Sequence, residues 1–103
     1  MRKFLLDDIR TLPDIDCLCR TPQAAYVSLE LEYFDVYFFD HHLGEVKPGT
    51  EGGDVLKWAL ENNHINPRAS IFLVSPDAVG KEKMRNILLD HGWFNRGIEY
   101  VKG

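Results

Sequence analysis

Three segments of this chain place acids or hydroxyls directly after apolar runs: F-L-L-D-D (Phe4–Asp8), V-Y-F-F-D-H-H (Val36–His42) and I-F-L-V-S-P-D (Ile71–Asp77). A run of aromatic and branched residues that stops abruptly at polar ones reads as a buried strand delivering functional groups to a sheet edge. In open α/β sheets, ligands bind outside the carboxyl ends of the strands. Asp7, Asp8 and Asp40 gathered at such an edge would repel one another, and their pKa values would rise unless a cation intervened. A divalent ion is the economical remedy: carboxylate oxygens suit Mg²⁺, and an added imidazole moves the preference toward Mn²⁺. Ser75 is then placed to hold a phosphate oxygen, and Lys102, at the end of the last apolar run, to offset its charge.

The elements that must position these groups alternate. Strands are expected at Phe4–Leu6, Ile15–Cys19, Val36–Phe39, Ile71–Val74 and Ile98–Val101. A first helix starts with Thr21 as N-cap and Pro22 at its first position, a pairing that satisfies an orphan amide and presets φ; Ala24, Ala25, Val27 and Leu29 are expected on its inner face. A second begins near Asp54, after Gly52 and Gly53, and stops before Pro67, with Val55, Leu56, Ala59 and Leu60 at helical spacing and Trp58 in the core. A third covers Val79 to His91, with Met84, Ile87, Leu88 and His91 on one stripe and Gly92 placed to end it. This alternation predicts an α/β fold with three layers and a mainly parallel sheet of four or five strands, covered on both faces. One connection is too short: only I-R-T-L-P-D separates Asp8 from Ile15, whereas a parallel crossover takes about a dozen residues or more. The first crossover helix is therefore expected to be missing or vestigial.

Composition narrows the function classes. The 103 residues make one domain, which on general scaling buries roughly 60–70% of its unfolded surface. A net charge of −4 argues against an extended basic surface gripping nucleic acid. The N-terminus M-R-K-F-L-L-D-D reaches paired acids after three apolar residues, and no segment is long enough to span a bilayer. A cytoplasmic protein without a membrane partner is the expectation. Cys17 and Cys19, one residue apart on an alternating stretch, share a face and read as reduced packing residues; zinc would need further ligands. Trp93 and Phe94 are candidates for a homodimer patch or for packing under the last strand.

The acid pair after the first strand, the Asp after the third, the hydroxyl after the fourth and the Y-V-K ending resemble phosphoacceptor receiver domains. The segments D-D-I-R-T-L-P, F-D-H-H-L-G, G-G-D-V-L-K-W and S-P-D-A-V-G-K-E-K-M resemble, more narrowly, the stand-alone cyclic-phosphate processing receiver-like family. That family favours D-D-x-R-x-P, L-D-H-D-L-G, G-x-D-V-L-x-W and H-S-x-N-P-x-G-x-x-x-M in these places. The matched residues are Asp7, Asp8, Arg10, Asp40, His41, Leu43, Gly44, Ser75, Gly80 and Met84. Three positions depart: Val74 stands where the pattern has histidine, His42 where it has an acid, and Asp77 where it has asparagine.

The resemblance implies a receiver-like, flavodoxin-like fold, a metal held by Asp7, Asp8 and Asp40, and a role in processing cyclic phosphates on nucleotides or nucleic-acid ends. In such chemistry Asp40, His41 and His42 are the candidate catalytic groups, with His41 moving protons, and Arg10, Ser75, Lys81 and Lys102 are the candidate phosphate ligands. Two other readings use the same residues: phosphoacceptor signalling through Asp40, and an interaction module that keeps the fold without catalysis. Bland roles also exist, since Asp7 and Asp8 could serve a turn, and Ser75 and Asp77 could cap the helix that follows.

Overall fold

The computed structural model describes residues 1–43 and 51–103; Gly44, one of the motif residues, lies outside the described residues. The elements run β1 (Lys3–Leu6), β2 (Cys17–Cys19), α1 (Pro22–Leu31), β3 (Val36–Phe39), α2 (Gly52–Glu61), β4 (Ser70–Leu73), α3 (Ala78–Asp90), β5 (Trp93–Arg96) and β6 (Glu99–Lys102). They form one sheet in the order β2-β1-β3-β4-β6-β5. The first four strands are parallel, β6 runs antiparallel to β4, and β5 closes a hairpin with β6. The sixth strand is the addition to the sequence reading: W-F-N-R shows no alternation and follows the helix-ending Gly92 directly, so nothing local marks it as a strand.

The hand of the crossovers decides where the helices lie. Going from β2 to β3, β3 to β4 and β4 to the hairpin, the chain steps across the sheet in one direction, so right-handed connections put α1, α2 and α3 on the same face. The core follows: Phe4, Leu6, Tyr37, Phe39, Ile71 and Leu73 from the strands meet Ala25, Leu29, Val55, Leu56, Met84 and Leu88 from the helices. The step from β1 to β2 goes the other way, and its crossover would have covered the second face, but no helix lies in it. The cover read for both faces thus reduces, among the described residues, to helices on one. On the second face Leu5 is fully buried, while Phe38 and Phe72, in register on adjacent strands, are half-buried and stack at 5.1 Å.

The helix ends explain the boundaries. Thr21 accepts a hydrogen bond from the Ala24 amide at 3.2 Å, and Pro22 starts α1 as its fixed φ allows. Of the expected inner face, Ala25 and Leu29 are buried, whereas Ala24 and Val27 face outward. Helix α2 starts two residues before Asp54, because the Asp54 side chain turns back to accept from the Glu51 amide at 3.1 Å. Asp77 caps α3 by accepting from the Gly80 amide at 2.9 Å, and Gly92 leaves it at φ +81°.

Cys17 and Cys19 are free thiols on one face of β2 with sulfurs 3.8 Å apart. Burial pushes the Cys19 thiol up to about 11. Because the thiolate is the nucleophile, iodoacetamide at neutral pH is expected to modify Cys17 well before Cys19. Peptide mass mapping of the native protein checks this, and equal rates would contradict the packing of Cys19.

Candidate functional site

Register places the acids. Leu6 pairs with Phe39 and Phe39 with Leu73, so the next residues, Asp7, Asp40 and Val74, stand side by side at strand spacing of about 4.8 Å. The ladder carries on past the strand ends: the Asp7 amide donates to the Cys19 carbonyl, the Asp40 amide to Leu6 and the Val74 amide to Phe39, at 3.0–3.1 Å. Asp8 follows Asp7 at the rim, half-buried. One ligand atom from each of Asp7, Asp8 and Asp40 lies within 4.8 Å of the others.

These carboxylates are buried yet incompletely paired. Asp7 is 1% and Asp40 5% exposed. Asp7 Oδ1 accepts from the amides of Ile9 and Arg10 at 3.0 and 2.8 Å, which is the turn role that aspartate serves well. Among the described residues Asp7 Oδ2 and Asp40 Oδ1 have no hydrogen-bond partner, and Arg10 Nε stands 3.6 Å from the former. A buried acceptor left unpaired costs about 1–3 kcal/mol, so two side by side call for a positive charge. Burial first, and then the neighbouring Asp7, raise the Asp40 carboxyl above its ordinary range; the His41 amide, the Ser75 hydroxyl and Arg10 pull the other way.

Arg10 and Ser75 belong to this edge. Arg10 donates to the Val74 carbonyl at 2.8 Å, bridging the loop after β1 to the end of β4. The buried Ser75 accepts the Asp77 amide at 3.3 Å, and its hydroxyl lies near enough to Asp40 to draw that carboxyl down. Lys81 lies one turn into α3 on the same side, its amide on the Asp77 carbonyl and the residue exposed.

Lys102 does not belong to it, which corrects the expectation that all the strand ends converge. Tyr100 is registered with Ile71 in an antiparallel pair, so β6 runs back and ends at the amino edge of β4. There Lys102 Nζ donates to the His91 carbonyl at 2.5 Å. The Y-V-K ending reads the same in either direction of the strand, so sequence alone could not reveal this.

The two histidines have different surroundings. His41 is buried, its Nδ1 accepting from the Gly53 amide at 3.3 Å, so Nε2 carries the proton and donates to Glu51 at 2.6 Å. It is walled in by glycines: a Cβ on Gly80 would sit 2.6 Å from His41 Cδ2, and one on Gly53 3.0 Å from Nδ1. His42 is half-exposed and its Nε2 lies 2.7 Å from Asp77 Oδ2, with Nδ1 3.8 Å from Glu51. The amide of Gly80 first, and then His42, hold the Asp77 carboxyl below the usual carboxylate range. Two of the three motif departures, His42 and Asp77, are therefore partners of each other.

Sequence reasoning missed Glu51, which bridges both histidines, and Arg20, whose guanidinium donates to the Asp7 and Arg10 carbonyls at 3.3 and 2.6 Å and fastens the loop beneath Arg10. Glu51 had a signal, because an acid three residues before Asp54 and followed by two glycines suits a helix start. Arg20 had none.

In a comparison with protein families, the model of the cyclic-phosphate processing receiver domain matches residues 2–90. No curated protein matches the chain. Among the described residues no helix is long and apolar enough to cross a membrane.

Proposed function

Because the chain belongs to the cyclic-phosphate processing receiver domain family, we propose that its acidic edge holds a divalent cation and opens a cyclic phosphodiester on a nucleotide or nucleic-acid end. The observation that supports this most is the pair of buried, unpartnered oxygens, Asp7 Oδ2 and Asp40 Oδ1, beside Asp8. Three carboxylates make a hard-oxygen donor set, while the His41 nitrogens and His42 Nε2 have partners; that set suits Mg²⁺ better than an imidazole-preferring metal. When bound, the cation neutralises the three acids and stabilises charge gathering on phosphoryl oxygens.

The chain's own groups supply the rest. Asp40 is fixed by the β3 ladder, and the neighbouring Ser75 hydroxyl would take a phosphoryl oxygen. Arg10 keeps one donor on Val74 and has its remaining donors at the rim for phosphate oxygens. Lys81 adds a mobile positive charge from α3. His42 is the proton carrier of this reading: with Nε2–H on the Asp77 carboxylate, Nδ1 is left as the accepting atom, and Asp77 stabilises the imidazolium that results. His41, with both nitrogens occupied, positions the start of α2 against the end of β3.

A purified sample with a 2′,3′-cyclic nucleotide and Mg²⁺ or Mn²⁺, followed by ³¹P NMR, tests the reading. The ring signal is expected to give way to a phosphomonoester, with a loss of about 100-fold in Asp40→Asn and 10- to 100-fold in His42→Ala. An intact ring at long times sinks it. A hydroxyl near Asp40, that of Ser75, also suits a second reading, in which Asp40 takes a phosphoryl group from a small donor. Incubation with acetyl phosphate and an intact-mass measurement separates the two, and neither turnover nor modification leaves an interaction module.

A further inference from the structure

We propose that the cavity at the amino edge of the sheet binds a small monoanion with a one-ring apolar body, such as an aromatic monocarboxylate. This site is remote from the acidic edge, at the opposite ends of the same strands, and does not depend on the phosphate reading. The cavity is about 280 Å³; Tyr33, Leu60, Ile65, Pro67 and Trp93 give it apolar surface, and Asn63, His91 and Lys102 its polar side chains. Its residues come from the turn before β3, the end of α2, the loop to β4, the cap of α3 and the closing hairpin.

Three observations set the ligand's chemistry. Among the described residues the cavity is lined by one lysine and no acid, in a chain whose net charge is −4, which favours an anion as its ligand. Lys102 spends one N–H on the His91 carbonyl, and the bare Cα of Gly92 makes room for its head: a Cβ there would stand 3.1 Å from Nζ. Two of the ammonium's three donors remain for a ligand. His91 Nδ1 donates to the Ile87 carbonyl at 2.8 Å, which holds the ring of the residue whose carbonyl anchors Lys102. A phosphate dianion would want several charged donors, and the lining offers one ammonium. A carboxylate needs one ammonium, and a ring fills the space between Trp93 and Tyr33. The volume lies at the small end of ligand pockets and limits the body to about one ring.

The probe is sodium benzoate, titrated into the ¹⁵N-labelled full chain, with benzamide and inorganic phosphate as controls. Saturable shifts are expected at the Trp93 indole and the amides of His91, Gly92 and Gly103, with Kd about millimolar, as the ligand's size allows. Benzamide should bind at least ten-fold more weakly, and phosphate should not compete. Lys102→Met should weaken benzoate ten-fold or more, Lys102→Arg should keep it, and Asp40→Asn should leave it unchanged. Should Lys102→Met fail to fold, the contrast between benzoate and benzamide in the wild type still decides. Shifts that never saturate, that centre on the acidic edge, or that benzamide or phosphate reproduces would overturn the proposal.

Discussion

Saturating Mg²⁺ is expected to raise the melting temperature of the wild-type chain by about 10 °C or more and to leave Asp40→Asn unmoved. A ligand at 100 times its Kd that binds only the native state adds about 2.7 kcal/mol, and each kcal/mol shifts a domain of this size by about 4–8 °C. The metal-free proteins should rank the opposite way. Asp40 is raised in the fold by burial and by Asp7, so the native state holds its proton more tightly than the unfolded chain does. Its favourable contribution is complete below the ordinary carboxylate range and is lost as pH rises through the raised value. At neutral pH the charged Asp40 therefore destabilises the metal-free fold, and Asp40→Asn, which removes that charge and offers an amide to Asp7 Oδ2, should melt higher than wild type.

Asp77 titrates with the reverse sign. It is lowered chiefly by the Gly80 amide and then by His42, so what it contributes is present at neutral pH and is lost as pH falls through its depressed value. The difference between wild type and Asp40→Asn, measured by thermal melting across pH without metal, cancels the Asp77 contribution and isolates Asp40. A gap that narrows toward acid supports the assignment; a constant gap, or a wild type that melts higher without metal, contradicts it.

The legible part of this structure is what local chemistry dictates. Thr21-Pro22 marks a helix start whatever surrounds it, and an apolar run ending in Asp7 or Asp40 marks a strand end, so the acidic triad is legible in the chain itself. Direction was not. Whether Tyr100 meets Ile71 in a parallel or antiparallel pair depends on the length and path of the preceding hairpin, and W-F-N-R carries no pattern that announces a strand. That one undetermined direction moved Lys102 from one edge of the sheet to the other. The histidines illustrate a second limit: adjacent in sequence and alike in chemistry, His41 and His42 diverge only because Gly53 and Gly80 close over the first while Asp77 reaches the second. Sequence gives residue types at an edge, but the division between a positioning group and an available one is made by what packs on them.

The glycines that make this division should be the least replaceable residues of the site. A Cβ on Gly52 would lie 1.6 Å from the Asp40 carbonyl oxygen and 2.7 Å from its carbon, both backbone atoms of a strand end held by the ladder. Neither side can yield cheaply, because the Gly52 amide is itself bonded to the His41 carbonyl at 2.7 Å. Gly52→Ala is expected to cost about 3 kcal/mol or more, a fall in melting temperature of about 12–25 °C. It should also abolish the Mg²⁺ response, since the shift is transmitted to Asp40. Gly80→Ala is the informative contrast. Its Cβ would press on His41 at 2.6 Å, a side chain and not backbone, while alanine inside a helix gains about 1 kcal/mol over glycine. In the wild-type background the clash should win. In a His41→Ala background the obstacle is gone, and Gly80→Ala should become neutral or stabilising. A double-mutant cycle by thermal or urea unfolding measures the difference, and a Gly80→Ala cost that persists without His41 would show that Gly80 is kept for a reason other than seating that ring.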